Sequence, residues 1–106
     1  MTQTELLQAL KSIGYPATYG SFKRPVTPPF ITCQFAYNSD LIADNINYVP
    51  IENFQVELYT AKKDLVAEQK VQDKLKELGL PYRKFETFLD TENLYQILYE
   101  IQLLGG

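Results

Sequence analysis

The chain has no histidine among its 106 residues, which removes the commonest general base and the commonest neutral metal ligand together. Ser-His-Asp and Cys-His catalytic pairings therefore cannot be built from it. It has one cysteine, Cys33, so no internal disulfide forms and folding does not call for an oxidising compartment. The glycines are scattered at positions 14, 20, 79, 105 and 106, as terminators and turns. They make no Gly-x-Gly-x-x-Gly and no phosphate-cradling loop ending in Lys-Ser or Lys-Thr. No window approaches the roughly eighteen apolar residues of a membrane span, and Met1 to Glu5 lacks the basic start and apolar run of a secretory signal. The expectation is a chain made and kept in the cytoplasm, or carried out of it inside an assembly. Ten Lys and Arg stand against thirteen Asp and Glu, for a net charge of -3. That is the wrong sign for a protein whose main work is gripping a phosphate backbone.

What is there is an ordinary globular composition, with 45% hydrophobic and 22% charged residues. The length suits one domain over residues 1–106. Thr2-Gln3-Thr4-Glu5 fits a capping box, and Leu6, Leu7, Leu10 and Ile13 follow on one helical face before Gly14. Ala17 to Phe22 can make a short extended piece, and Lys23 to Pro29 reads as a stiff, polyproline-like loop. Ile31, Cys33, Phe35 and Tyr37 then alternate with smaller or polar residues, the period of a half-buried strand. Asn38 to Asn45 reads as a turn-rich connection, with Ile46 to Val49 pairing briefly before Pro50. From Ile51 to Thr60, Phe54, Val56 and Leu58 face one way while Gln55, Glu57 and Tyr59 face the other.

Asp64 is a suitable N-cap for a second helix over Leu65 to Leu78, with Ala67, Val71, Leu75 and Leu78 as its buried stripe and Gly79 as its stop. Tyr82 to Leu89 is strand-like, Asp90 to Asn93 is a turn, and Leu94 to Leu104 alternates strictly enough to favour a strand over a helix. The resulting order is α-β-β-β-α-β-β. It implies an α+β fold in which a mainly antiparallel sheet of about five strands, paired by hairpins, carries two helices on one face.

Few residues are placed for chemistry. Cys33 lies beside Ile31 and Phe35 on the apolar side of a strand, where a thiol acts as a small hydrophobe. Asp40 with Asp44, and Asp90 with Glu92, are too sparse for an oxygen cage. No catalytic, cofactor-binding or metal-binding residues are expected, and the chain is read as no enzyme. Basic residues pair at Lys23-Arg24, Lys62-Lys63 and Arg83-Lys84, the last flanked by Tyr82 and Phe85. That arrangement leaves open a small nucleic-acid-binding module that uses an exposed aromatic sheet. Tyr59 and Leu98 point away from the apolar faces of their strands, either as parts of a protein-binding surface or as leftovers at the rim of a small domain. Leu41, Ile42, Asp44 and Tyr48 lie in a connection richer in apolar groups than solvent favours. They contact a partner or fold back over the sheet edge. The candidate interface is therefore Leu41, Ile42, Asp44, Tyr48, Tyr59 and Leu98.

Several strings resemble those of small head-and-tail morphogenesis proteins from long-tailed phages and prophages of Gram-positive bacteria. They are Phe35-Ala36-Tyr37, Ala43-Asp44-Asn45, Glu57-Leu58-Tyr59-Thr60-Ala61-Lys62-Lys63-Asp64, Glu92-Asn93-Leu94-Tyr95-Gln96 and Tyr99-Glu100-Ile101. The class that these strings and the element order resemble is the tail-terminator, or tail-to-head joining, proteins. The resemblance implies a virion component at the head–tail junction, made in the bacterial cytoplasm. It would close the tail tube as a hexameric ring and meet the tail tube protein on one side and the head-closure connector on the other. DNA would pass through it only as cargo, and no cofactor or membrane is implied.

Overall fold

The computed structural model describes residues 1–43 and 47–104, with 41–43 and 47–49 given as backbone only. Helix α1 spans Gln3–Lys11 and is held at its start by the reciprocal cap that its sequence announces. The Thr2 hydroxyl accepts from the Glu5 amide at 3.2 Å, and the Glu5 carboxylate accepts from the Thr2 amide at 2.9 Å. The bond from the Thr2 backbone, then that from its hydroxyl, holds the Glu5 carboxyl below its ordinary value. Helix α2 spans Leu65–Glu77, capped by the Asp64 carboxylate on the Ala67 amide at 3.0 Å. Gly14 and Gly79 follow the two helices with φ of 113° and 70°, conformations that glycine reaches without strain.

Strands β1 (Ala17–Tyr19), β2 (Phe30–Asn38), β5 (Ile51–Thr60), β6 (Arg83–Leu89) and β7 (Leu94–Leu104) form one sheet in the order β1-β2-β5-β7-β6. Every neighbouring pair is antiparallel except β1 with β2, which is parallel. The expectation that all strands pair by hairpins fails there, and also at β5 with β7, which pair although α2 and β6 lie between them in the chain. For β1 and β2 the reason lies in the connection, where Pro25, Pro28 and Pro29 cannot donate to a ladder, so the chain runs back extended before β2 begins.

The segment expected as a loop over residues 38–45 is in part ordered as strand. Strands β3 (Leu41–Ala43) and β4 (Asn47–Val49) pair antiparallel as a separate two-stranded ribbon. Its register continues that of β2 with β5. Tyr37 pairs Asn53 and Asn38 pairs Glu52, and the same stepping brings Leu41 opposite Val49. The β2–β5 hairpin thus extends past the body as an arm, its ladder joined by bonds from the Ser39 amide to the Ile51 carbonyl and from the Ile51 amide to the Asp40 carboxylate. Cα extents of 49 × 27 × 25 Å and a radius of gyration of 14.8 Å agree with this. A compact chain of this size would have a radius of about 13 Å.

The core lies between the helices and one sheet face. Leu6 and Leu10 of α1 and Ala67, Val71 and Leu75 of α2 are fully buried against Ile31, Cys33, Val56, Leu58, Ile97 and Tyr99. Each large aliphatic buried this way contributes about 1.5–3 kcal/mol, which is why the two one-sided helices stay docked. The stripe on β2 ends sooner than its alternation suggests. A bulge at Ala36 breaks the register between Phe35 and Tyr37, and both of those aromatics are exposed. Phe35 meets the ring of Phe54 edge-on at 5.7 Å where the arm leaves the body.

Candidate interface on the uncovered sheet face

Because Phe54, Val56 and Leu58 face the helices, the alternate residues of β5 must face away from them. The register then sets out the second face in rows. Thr32, Glu57, Leu98 and Phe85 are successive neighbours across β2, β5, β7 and β6. Phe30, Tyr59, Gln96 and Thr87 form the next row, and Gln34, Gln55, Glu100 and Arg83 another. This surface is rich in amides, with Leu98 and Phe85 as an apolar island, rather than the broadly apolar face that the tyrosine and leucine positions suggest.

Its most ordered part surrounds Glu57, which is 7% exposed. Oε2 of Glu57 accepts from the Tyr59 hydroxyl at 2.9 Å and from Gln96 Nε2 at 2.7 Å, and Gln96 Nε2 also reaches the Tyr59 oxygen at 3.0 Å. The Tyr59 ring stacks on Phe30 at 4.9 Å and 19°, and Phe22 meets Phe30 edge-on at 5.5 Å. Burial, then the bond to Glu57, pushes the Tyr59 hydroxyl above its ordinary value, so it stays a donor at neutral pH. Towards the arm, Gln102 Nε2 donates to the Asn53 side chain at 3.0 Å, and Asn53 Nδ2 donates to the Ser39 hydroxyl at 2.9 Å. Polar groups this close to full burial would be costly without partners, and here they have them.

The basic pairs do not merge into a patch. Arg83 and Lys84 fall on opposite faces, Arg83 beside Glu100 on the uncovered side and Lys84 beside Tyr99 on the helix side. Lys84 Nζ is 2.7 Å from Glu68 Oε1, and Lys63 Nζ is 2.7 Å from Glu68 Oε2 while also holding Glu86. Burial works to raise the Glu68 carboxyl, but the bonds and charges of Lys63 and Lys84 outweigh it and leave the group below its ordinary value. The sequence reading missed this cluster. The available signal was spacing, since Glu68 precedes Val71 by three and Leu75 by seven and so sits on the inner stripe of α2.

Cys33 is buried in the core as expected. Burial, with a further push from the Glu57 charge, raises its thiol to about 11. Thiolate is therefore scarce at neutral pH and the sulfur is out of reach. We expect a thiol-reactive chromophore at pH 8 to leave the native chain unmodified and to react stoichiometrically once denaturant is added. Rapid labelling of the native protein would show that the sheet opens at β2.

Of the residues singled out from sequence, Tyr59 and Leu98 lie on the same uncovered face as diagonal neighbours on β5 and β7. Leu41, Ile42 and Tyr48 belong to the arm, where their side chains lie outside the described residues, as does Asp44 altogether. The arm joins β5 at Ile51, so its root is eight residue steps, roughly 26 Å, from Tyr59. The chain therefore carries two candidate surfaces, not one. Sequence reasoning missed a third, formed by Leu65 and Val66, which are 68% and 66% exposed on the first turn of α2. An open groove of about 740 Å³ lies near the arm's root, lined by residues including Tyr37, Leu80, Pro81, Tyr82 and Leu104. Its charged lining residues are Arg83 and Glu100, which neighbour each other across β6 and β7.

No family model matches the chain, and no curated protein matches it. Among solved structures, its fold is similar to that of a chain described as "Virion of native gene transfer agent (GTA) particle". The TM-score is 0.58 at 9% sequence identity, over 92% of this chain and 84% of that one. At that identity the likeness is one of fold.

Proposed function

We propose that the chain is a non-enzymatic structural protein of a phage-like virion, which completes the tail tube as a hexameric ring and joins it to the head connector. The single observation that carries this reading is the fold shared with a component of the gene transfer agent particle over nearly the whole of both chains. The surfaces agree with it. A ring subunit needs two unlike sticky faces because its contacts are heterologous, and here an arm, an uncovered sheet face and an exposed helix start are presented on different sides of a small body. A face rich in amides with little free positive charge also suits a channel through which DNA slides without being held. Leu41, Ile42, Asp44, Tyr48, Tyr59 and Leu98 are assigned to contacts with neighbouring copies, the tail tube protein or the connector.

The test is electron microscopy of particles from an induced lysogen in which this reading frame is interrupted. Filled heads beside separate tails, particularly tails of uncontrolled length, are expected. Normally joined particles would overturn the assignment.

A further inference from the structure

The two edges of the sheet are unlike. Strand β1 is three residues long, set between Pro16 and Gly20, and so is a blunt edge. Strand β6 runs for seven residues, stands last in the strand order and, among the described strands, pairs only with β7. Arg83 to Phe88 are all exposed. An edge of this kind presents a row of unpaired main-chain groups, and the ladder shows which residues own them. The Ile31 amide donates to the Pro16 carbonyl and the Cys33 carbonyl accepts from the Gly20 amide, so these residues turn to β1, and Thr32 and Gln34 turn to β5. Opposite residues of an antiparallel pair turn either towards each other or both away, and the direction alternates along each strand. Carried across the sheet, Thr32 turns to Glu57, Val56 to Tyr99, and Leu98 to Phe85. Lys84 and Glu86 are left with their amides and carbonyls at the open edge. Their side chains lie on the helix side, beside Tyr99 and Ile97.

We infer that β6 docks against β6 of a second copy, paired antiparallel about a two-fold axis at Phe85. The register follows from what each choice sets face to face. Only the outward-turned residues Lys84, Glu86 and Phe88 can exchange bonds across this edge. Centring the pair on Glu86 opposes two carboxylates, and centring it on Lys84 opposes two ammoniums, both of which destabilise. Centring on Thr87 sets Glu86 against Phe88. Centring on Phe85 sets Lys84 of each copy against Glu86 of the other, with Phe85 meeting Phe85 on the uncovered face and Arg83 meeting Thr87. The Lys84 and Glu86 side chains are 37% and 43% exposed and already meet Glu68 and Lys63. An ammonium has three donors and a carboxylate several lone pairs, so the new contacts extend an array that alternates in sign. Asp90 and Glu92 stand in the turn past the end of the strand, outside the paired residues. An unrelated extended peptide would gain the main-chain bonds without the two reciprocal charge pairs. The contact is isologous and closes on itself, so it is independent of the ring reading. It describes the chain before assembly, with its open edge covered against indiscriminate pairing.

Cysteine cross-linking of the full-length chain tests this, with Cys33 too buried to compete. Two residues opposed at the axis without main-chain bonds have Cα atoms about 4.5 Å apart, within disulfide reach. Phe85 is 49% exposed, so Phe85→Cys leaves the core intact, and mild oxidation is expected to give a disulfide dimer. Arg83→Cys mixed with Thr87→Cys should give a mixed dimer well in excess of either alone. Like positions there are four residue steps, about 13 Å, apart and out of reach. Sedimentation of the unmodified chain at about 0.1 mM, a concentration suited to a small interface, should show a monomer–dimer equilibrium. Glu86→Pro removes one outward amide but none that bonds to β7, so it should leave monomer only. Glu86→Lys should weaken the dimer about tenfold, since it turns two attractions into repulsions. An unchanged circular dichroism spectrum certifies each variant. Mixed and single yields that are equal, a Phe85→Cys chain that stays reduced, or an unmodified chain that sediments only as monomer or only as larger rings would overturn the inference. A dimer that survives Glu86→Pro would overturn it too, by placing the contact elsewhere.

Discussion

Replacing Tyr99 with alanine is expected to lower the unfolding free energy by about 3–5 kcal/mol, the range for deleting a fully buried aromatic ring. Against a total of about 5–15 kcal/mol for a domain, that is enough to leave much of the protein unfolded at moderate temperature. Tyr99 has no exposed surface and lies on β7 between β5 and β6, under α2. Its ring meets Tyr82 edge-on at 5.1 Å, and its hydroxyl donates to Gln72 Oε1 at 3.0 Å. The ring carries most of the effect. Tyr99→Phe keeps the packing and frees a half-buried Gln72 that can turn to water, so about 1 kcal/mol is expected. Urea denaturation of the two variants separates the terms, and a phenylalanine variant as unstable as the alanine one would place the stability in the hydroxyl instead. Burial, then the nearby Glu68 charge, raises the Tyr99 hydroxyl above its ordinary value. Its contribution is therefore complete below the unfolded tyrosine value of about 10 and is lost as pH rises beyond that.

The elements that carry this core were legible because each presents one apolar stripe at its own period. Leu6 and Leu10, Val71 and Leu75, and Phe54, Val56 and Leu58 needed no tertiary information to be placed inside. The α+β class and the order of the long strands follow from them. What was not legible depends on contacts between elements. The parallel direction of β1 is decided by where the proline-rich connection returns, and a three-residue strand has no pattern of its own. The outward placement of Phe35 and Tyr37 is set by the bulge at Ala36 and by how far the helices reach. The continuity of the arm with β2 and β5 is a matter of register, invisible in a stretch of Asn, Asp and Ser that reads as a loop.

The candidate surfaces divide the same way. Alternation alone put Tyr59 and Leu98 on the face away from the core, and the register confirms that placement. The hydrogen bonds that tie Tyr59 to Glu57 and Gln96 came only with the pairing of β5 and β7. Leu65 and Val66 were not singled out in the sequence, and the stripe that buries Ala67 and Val71 turns them outward. Arg83 and Lys84 looked like one basic patch in sequence, but adjacent strand residues point to opposite faces, and Lys84 is taken up by Glu68.

Glu68 supplies the second large effect. Its side chain is 3% exposed and its two oxygens each meet one ammonium, Lys63 from the loop before α2 and Lys84 from β6. Such a group adds little net stability while it is paired, because desolvation offsets the attraction, but removing its partners leaves a buried charge uncompensated. The double variant Lys63→Ala with Lys84→Ala is therefore expected to lose about 3 kcal/mol at pH 7, the lower end of the range for a broken buried pair. The lower end applies because both lysines are partly exposed, at 41% and 37%, and water can follow into the space they vacate. The pH dependence distinguishes this from simple loss of packing. In the native protein the lysines hold the Glu68 carboxyl below its ordinary value despite burial. Its contribution is thus present above the unfolded carboxyl value of about 4.3 and is lost as pH falls through the native one. In the double variant burial acts alone and raises the same group, so protonation relieves the strain and acid narrows the gap to the native protein. Adding Glu68→Gln to the variant should recover part of the loss at pH 7, because a neutral amide can be buried at lower cost than an unpaired carboxylate. A gap in unfolding free energy that stays constant from pH 7 to pH 4 would show that the lysine stems, and not their charges, hold β6 against α2.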